Sequence, residues 1–347
     1  MNTRLIAATL AAKDALRPGY KLTISKGGGP NRRIIFDHWR GDEIVSRTGA
    51  GGYYAPDISK VNGAPVDFNL VTGVGRKRKH LFIPDSQVRP GVPLDHLGWI
   101  GRYAVEKRPD VIIHAGDFAD MPSLSSYDKG KRAMEGRRIS DDINAAKHGW
   151  DVLNAPIEAY NTRQRREKKR LYRPEKHITL GNHEDRITRV CQTDAQLEGL
   201  IGVESLHLDK YGWTVHPFLN MMCIDGVTYS HYFANPFTGR PWGGMMQTRL
   251  KNIGFSFTMG HVQLKEAGEV FLANGKVRRG LVAGAAYLHD EEYKGPQGNH
   301  HWRGVLIKHQ VCDGNYDLME VSLDYLCRRY EGVPLADFKP RIFAGER

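Results

Sequence analysis

The stretch Val111-Ile112-Ile113-His114-Ala115-Gly116-Asp117-Phe118-Ala119-Asp120 decides how this chain is read. A short β-branched run stopped by a glycine reads as a buried strand, and the acidic residues then sit on the loop at its end. A short apolar run leading into polar loop residues recurs three times, twice with a glycine and once with Pro84 at the junction. Leu81-Phe82-Ile83 precedes Pro84-Asp85-Ser86-Gln87, Ile178-Thr179-Leu180 precedes Gly181-Asn182-His183-Glu184, and Phe255-Ser256-Phe257-Thr258-Met259 precedes Gly260-His261-Val262-Gln263. A lone histidine, His231 in Ser230-His231-Tyr232, falls between the last two. Strand ends are where α/β sheets place ligand-binding groups. Glycine beside a ligand permits the tight turn that lets the side chain reach inward. Asp, Asn, His and Gln gathered at such ends predict a metal site.

In order and residue type these blocks resemble the calcineurin-like metallophosphoesterase superfamily, whose pattern is D-x-H, GD-x-x-D, GNH-D/E, a lone His, then GH-x-H. The resemblance covers residues 81 to 326. A single GD or GH pair is weak evidence, whereas the ordered set is specific. Asp120-Met121-Pro122-Ser123-Leu124-Ser125-Ser126-Tyr127 and Tyr293-Lys294-Gly295-Pro296-Gln297-Gly298-Asn299-His300-His301-Trp302 are also similar to metallophosphoesterases common in bacteriophage genomes.

The resemblance implies an α/β (α+β) fold, the αββα sandwich of two mixed β-sheets flanked by helices. It implies two divalent cations sharing Asp117. Site one is Asp85, Gln87, Asp117 and Gln263; site two is Asp117, Asn182, His231 and His261. Cations ~3.5–4 Å apart activate a water for in-line attack on phosphorus and neutralise the leaving oxygen. His183 matches the histidine that protonates or hydrogen-bonds the leaving group, with Glu184 or Asp185 expected to orient its ring. Asp120 is expected to hold a ligand or a water from behind. Arg186 and Arg189 are expected to grip phosphate bidentately or to lie on a solvated helix face. His300 and His301, beside Trp302, are expected to line the mouth of the site.

The chain departs from the pattern consistently. Both histidines of site one are glutamines, Gln87 and Gln263. Amide oxygens suit harder cations than imidazole does. Mn2+ is therefore expected, with Mg2+, Zn2+ or Fe as alternatives, and site one is expected to be weak or empty.

The 347 residues suffice for a full core. Lys and Arg number 50 against 39 Asp and Glu, a formal charge of +11. That excess favours a polyanionic partner, DNA or RNA first. Together with Met121 standing where the protein-phosphatase form has arginine, it favours a phosphodiesterase or nuclease. A phosphomonoesterase is the alternative, and a nucleic-acid-binding protein with a degenerate site the third. No protein partner can be inferred. Four scattered cysteines without a C-x-x-C pair argue against a disulfide framework or structural zinc. No apolar run approaches ~20 residues, so no membrane span is expected. Residues 5–12 faintly resemble a signal peptide but read better as a short helix. A cytoplasmic location is expected, that of a bacterial host if phage-encoded.

Residues 1–79 read as a small β-rich appendage, with a helix at 2–16 and strands at 20–25, 33–36 and 43–45 between glycine-rich turns at 26–30 and 49–52. The basic run 76–80 reads as a solvated linker that could touch nucleic acid. The main domain spans 80–328, and 329–347 reads as a tail. Helices are expected at 94–107 and from a Ser140 cap, with Asp141 and Asp142 suiting the positive helix end. Ile143, Ala146, Trp150, Leu153, Ile157 and Tyr160 mark the buried stripe of that second helix. Its basic end, 163–170, could face substrate. The polar segment 121–138 is expected to overhang the site. Asp225-Gly226, Asn274-Gly275 and Asp313-Gly314 predict three hairpins.

Overall fold

The computed structural model describes residues 20–24, 34–40, 43–49, 77–291 and 294–345. The chain divides into two compact units, Met1–Val66 and Asp67–Arg347. In the first, β1 (Tyr20–Ile24), β2 (Ile34–Arg40) and β3 (Glu43–Gly49) form an antiparallel sheet in that order. The expected strands at 20–25, 33–36 and 43–45 fall on them. The helix at 2–16, the signal-like segment and the glycine-rich turn at 26–30 lie outside the described residues, as does most of the turn at 49–52.

The second unit holds two mixed sheets. One contains β4 (Arg78–Ile83), β5 (Val111–His114), β6 (Glu175–Thr179), β7 (Thr214–His216), β13 (Gly304–Cys312) and β14 (Asn315–Ser322), ordered β14-β13-β4-β5-β6-β7. Strands β4 to β7 are parallel, and β13 is antiparallel to both neighbours. The other contains β8 (Met222–Ile224), β9 (Val227–Tyr229), β10 (Phe257–Met259), β11 (Lys265–Phe271) and β12 (Val277–Ala283), ordered β11-β12-β10-β9-β8. Here β10 runs parallel to β9 and β12, while β8–β9 and β11–β12 are hairpins. All three hairpins predicted from Asx-Gly pairs are present.

Continuous apolar runs arise because these strands are covered on both faces. Phe82, Val111, Ile113 and Leu306 point into a core shared with Ile224, Tyr229 and Leu281 of the second sheet. Their neighbours Leu81, Ile83, Ile112 and Ile307 point the other way, against helices α1 (Asp95–Lys107) and α2 (Ile139–Arg166). On the far face of the second sheet, Phe257, Met259 and Val282 pack under α4 (Met246–Ile253), which follows α3 (Asp185–Thr193) in the chain. The unit is thus a layered α+β sandwich.

Three expectations need correction. Helix α2 starts at Ile139 with Arg138 at its N-cap and no side-chain cap, so Ser140 is already helical. Asp142 turns inward and accepts the Ser123 N–H at 2.9 Å, pinning the start of the 121–138 segment. Arg78 and His80 are not linker residues. Strand β4 carries them inward, where Arg78 meets Asp225 (2.7 Å) and Glu175, and His80 meets Asp225 and Tyr229. The expected tail carries a helix, α7 (Leu335–Phe343), after α5 (Gly295–Gly298) and α6 (Leu323–Glu331). Its Phe338 ring lies edge-on to Trp99, 5.3 Å between centroids. Cys191, Cys223, Cys312 and Cys327 form no disulfide. Among the described residues no helix is long and apolar enough to cross a membrane.

Candidate metal centre

Parallel strands end at the same edge of a sheet. Asp85, Asp117 and Asn182 follow β4, β5 and β6, while His231 and His261 follow β9 and β10. The two sheets therefore deliver five motif residues to one place. Asp117, Gln87, His261 and Gln263 have φ between 47° and 65°, in the left-handed region. Such residues cost about 1–3 kcal/mol each and cluster at functional sites. Two motif glycines are needed for close approach. A Cβ on Gly181 would lie 2.1 Å from Asp117 Oδ1, and one on Gly260 would lie 2.3 Å from Asp85 Oδ1.

Site two converges. His231 Nε2 and His261 Nδ1 are 2.9 and 2.8 Å from Asn182 Oδ1, and 3.2 Å from each other. His231 Nε2 is 3.4 Å from Asp117 Oδ2. Potential ligand atoms of Asp117, His231 and His261 all lie within 4.8 Å of one another. The His231 ring is fully buried, and its Nδ1 lies 2.9 Å from the Ala115 carbonyl. Donation of an N–H there presents the Nε2 lone pair to the centre, as in histidine–metal sites.

The electrostatics favour a cation. Burial lowers the His231 pKa, but the Asp117 charge and hydrogen bond, with Asp85, outweigh it and lift the pKa to about 9. Burial and the neighbouring His231 push His261 down to about 4. Burial raises Asp117, yet His183 and His231 more than reverse this and hold it far below the carboxylate range. At Asp85 burial dominates, with Asp117 adding to it, and the pKa rises to about 7.

Site one is organised differently. Asp85 Oδ1 accepts the His261 backbone N–H at 3.0 Å, and its buried Oδ2 has no hydrogen-bond partner among the described residues. Gln87 donates its amide N–H to Asp117 Oδ2 at 3.3 Å. Gln263 Oε1 accepts from Tyr287 Oη at 2.9 Å and from Lys294 Nζ. Both glutamine side chains reach the site, Gln87 with its NH2 toward Asp117 and Gln263 with an oxygen already taken by Tyr287 and Lys294.

His183 stands beside Asp117, its Nε2 3.6 Å from Asp117 Oδ2. Asp120 is the residue that orients the ring, with Oδ1 2.8 Å from His183 Nδ1. Burial lowers the His183 pKa, but the Asp117 charge and the Asp120 hydrogen bond raise it on balance. Glu184 does not orient the ring. Its buried carboxylate accepts the backbone N–H groups of Asp117 (2.9 Å), Ala119 (2.8 Å) and Gly181 (2.8 Å). It clasps two motif loops together. Replacing Glu184 with Ala leaves three buried donors unpaired, so stability should fall by several kcal/mol, at about 1–3 kcal/mol for each unsatisfied donor. Glu184→Gln, with one acceptor oxygen, should fall between. Denaturant midpoints for both variants close to wild type would refute the clasp.

Arg186 and Arg189 are engaged with protein oxygens. Arg186 donates to the carbonyls of Asp120 (2.8 Å) and Met121 (3.2 Å) and sits 3.2 Å from His183 Nε2. Arg189 donates to the Asn182 carbonyl at 2.8 Å and pairs with Asp185, which is therefore turned to Arg189. His301 lies 3.2 Å from Tyr287 Oη. His300 is exposed and, with His301, lines a cleft of about 890 Å³ that includes none of the seven predicted metal ligands. The basic end of α2 is exposed apart from Gln164.

Sequence reading missed Arg89 and Glu291. Arg89 joins Asp120 Oδ2 (2.9 Å) to Glu291 (3.0 Å), and His289 Nε2 meets Glu291 at 3.0 Å. Arg89 lies two residues beyond Gln87, its only signal in the sequence. No family model matches this chain, and no curated protein does.

Proposed function

We propose that this protein is a metal-dependent phosphoesterase acting on phosphodiesters of nucleic acids or nucleotides. The observation that carries the reading is the convergence of Asp117 Oδ2, Asn182 Oδ1, His231 Nε2 and His261 Nδ1 from four strand ends. Two imidazoles, an amide oxygen and a carboxylate fit a divalent transition-metal ion, zinc and iron through the imidazoles and manganese through the oxygens; manganese is the one proposed. When bound there, the cation supplies an activated water and neutralises charge on the phosphoryl oxygens.

The chain's own residues supply the rest. Ala115 and Asp117 fix the His231 ring. Asp120 holds His183 by Nδ1, so that Nε2 faces Asp117 and can pass a proton to the leaving oxygen. Arg89 holds Asp120 in turn. A monoester dianion calls for a bidentate arginine. Both nearby arginines expected in that role are committed to backbone carbonyls, which favours the singly charged diester.

The test is hydrolysis by metal-stripped protein of bis(p-nitrophenyl) phosphate against p-nitrophenyl phosphate, with manganese, magnesium or zinc restored. Manganese-dependent turnover with the diester preferred is expected. Preference for the monoester would replace the diesterase reading, and no turnover of either ester or of DNA and RNA would remove the esterase.

A further inference from the structure

We propose that the Lys294 side chain, rather than a second metal ion, is the cation of the pocket formed by Asp85, Gln87, Asp117 and Gln263, so that the protein binds one metal ion per chain. This rests on the site-two reading above. Four observations carry it.

The Lys294 ammonium donates to Gln263 Oε1 and, at 3.2 Å, to Tyr287 Oη. It thus engages the oxygen that Gln263 would otherwise present to a metal ion, and Tyr287 Oη donates to that oxygen too. On the opposite side, Gln87 directs an amide N–H, not its oxygen, at Asp117 Oδ2. Asp117 Oδ2 and Gln263 Oε1, two of the oxygens expected to face a cation, thus meet donors instead. Finally, Asp85 keeps an unpaired buried oxygen in the same pocket.

The glutamine substitutions follow from the same chemistry. An imidazole that directs its lone pair at a metal ion gives an ammonium little to bind, whereas an amide oxygen accepts from it readily. Lysine is a compact point charge on a flexible stem, suited to such a position. The loop that delivers it is fixed. Asn299 Nδ2 donates to the Glu291 and Gly295 carbonyls at 2.9 Å each, and Asn299 Oδ1 accepts the Glu291 N–H at 2.8 Å. That gives the polar block around residues 285–304 a role in the centre itself.

The experiment is equilibrium dialysis of the whole chain against millimolar Mn2+, with metal analysis and Mn2+ electron paramagnetic resonance. Wild type should hold one ion with no exchange-coupled signal. Lys294→Ala should take up a second ion and show coupling, while Lys294→Arg should stay at one. Two ions in wild type overturn the assignment, as does a single ion in folded Lys294→Ala. The wild-type count stays decisive if a variant misfolds. One ion without turnover of any phosphoester would sustain this assignment and defeat the esterase reading. Two ions with turnover would do the reverse.

Discussion

On the proposed function, Asp117→Asn should abolish metal binding and phosphodiester turnover together. The residue contributes through both carboxylate oxygens. Oδ1 accepts the His183 backbone N–H at 2.9 Å, and Oδ2 faces His231, His183 and Gln87. The asparagine amide can keep the first contact through its oxygen, so the loop should stay in place. It then turns an NH2 group toward His231 Nε2, where a donor opposes both imidazole coordination and a cation. The negative charge that raises His231 and His183 disappears at the same time. Manganese affinity should fall by more than the ~10–100-fold typical of losing an outer partner. Turnover should drop beyond the ~10²–10³-fold seen when one electrostatic donor is removed. Metal analysis after dialysis and diester hydrolysis measure the two effects. Bound manganese retained with turnover within an order of magnitude of wild type would show that the centre lies elsewhere.

The strand ends were legible because their signals are local. Short apolar runs are buried on both faces, as Leu81 and Phe82 show by pointing into different cores. The loop residues that follow parallel strands must then meet at one edge. This is why Asp117, Asn182, His231 and His261, which the family resemblance grouped, come together. Partner choice was not legible. Glu184 follows His183 in the chain, yet its side chain points into the body to serve three backbone N–H groups. Asp120, 63 residues from His183, holds the ring instead. Arg186 looks like a phosphate grip in sequence, but the Asp120 and Met121 carbonyls already take its donors. Lys294 is separated from Gln263 by 31 residues, and nothing local links them. Such choices depend on where two loops cross after the sheets have packed, which no periodicity encodes. The two glutamines did announce that site one departs from the pattern. What replaces the cation required the tertiary contact.

His183→Ala should leave the metal ion bound and slow the reaction by about 10²–10⁴-fold, the span of general acid–base catalysis. The ring touches the centre only at its edge, with Nε2 3.6 Å from Asp117 Oδ2, while the backbone N–H that supports Asp117 Oδ1 survives the substitution. Metal content and thermal stability of the loaded protein should therefore stay near wild type, which separates this variant from Asp117→Asn. The size of the loss should depend on the leaving group. p-Nitrophenolate departs with little help, so the defect on bis(p-nitrophenyl) phosphate should lie at the low end. A dinucleotide expels a far more basic alkoxide, and there the defect should reach the high end. Asp120→Ala should reproduce part of the loss, because it leaves the ring only the Asp120 backbone carbonyl as an acceptor and leaves Arg89 only Glu291. Asp120→Asn, which can keep an acceptor for His183 Nδ1–H, should cost less. If His183→Ala slows both substrates by the same factor, the residue shapes the site and does not donate the proton.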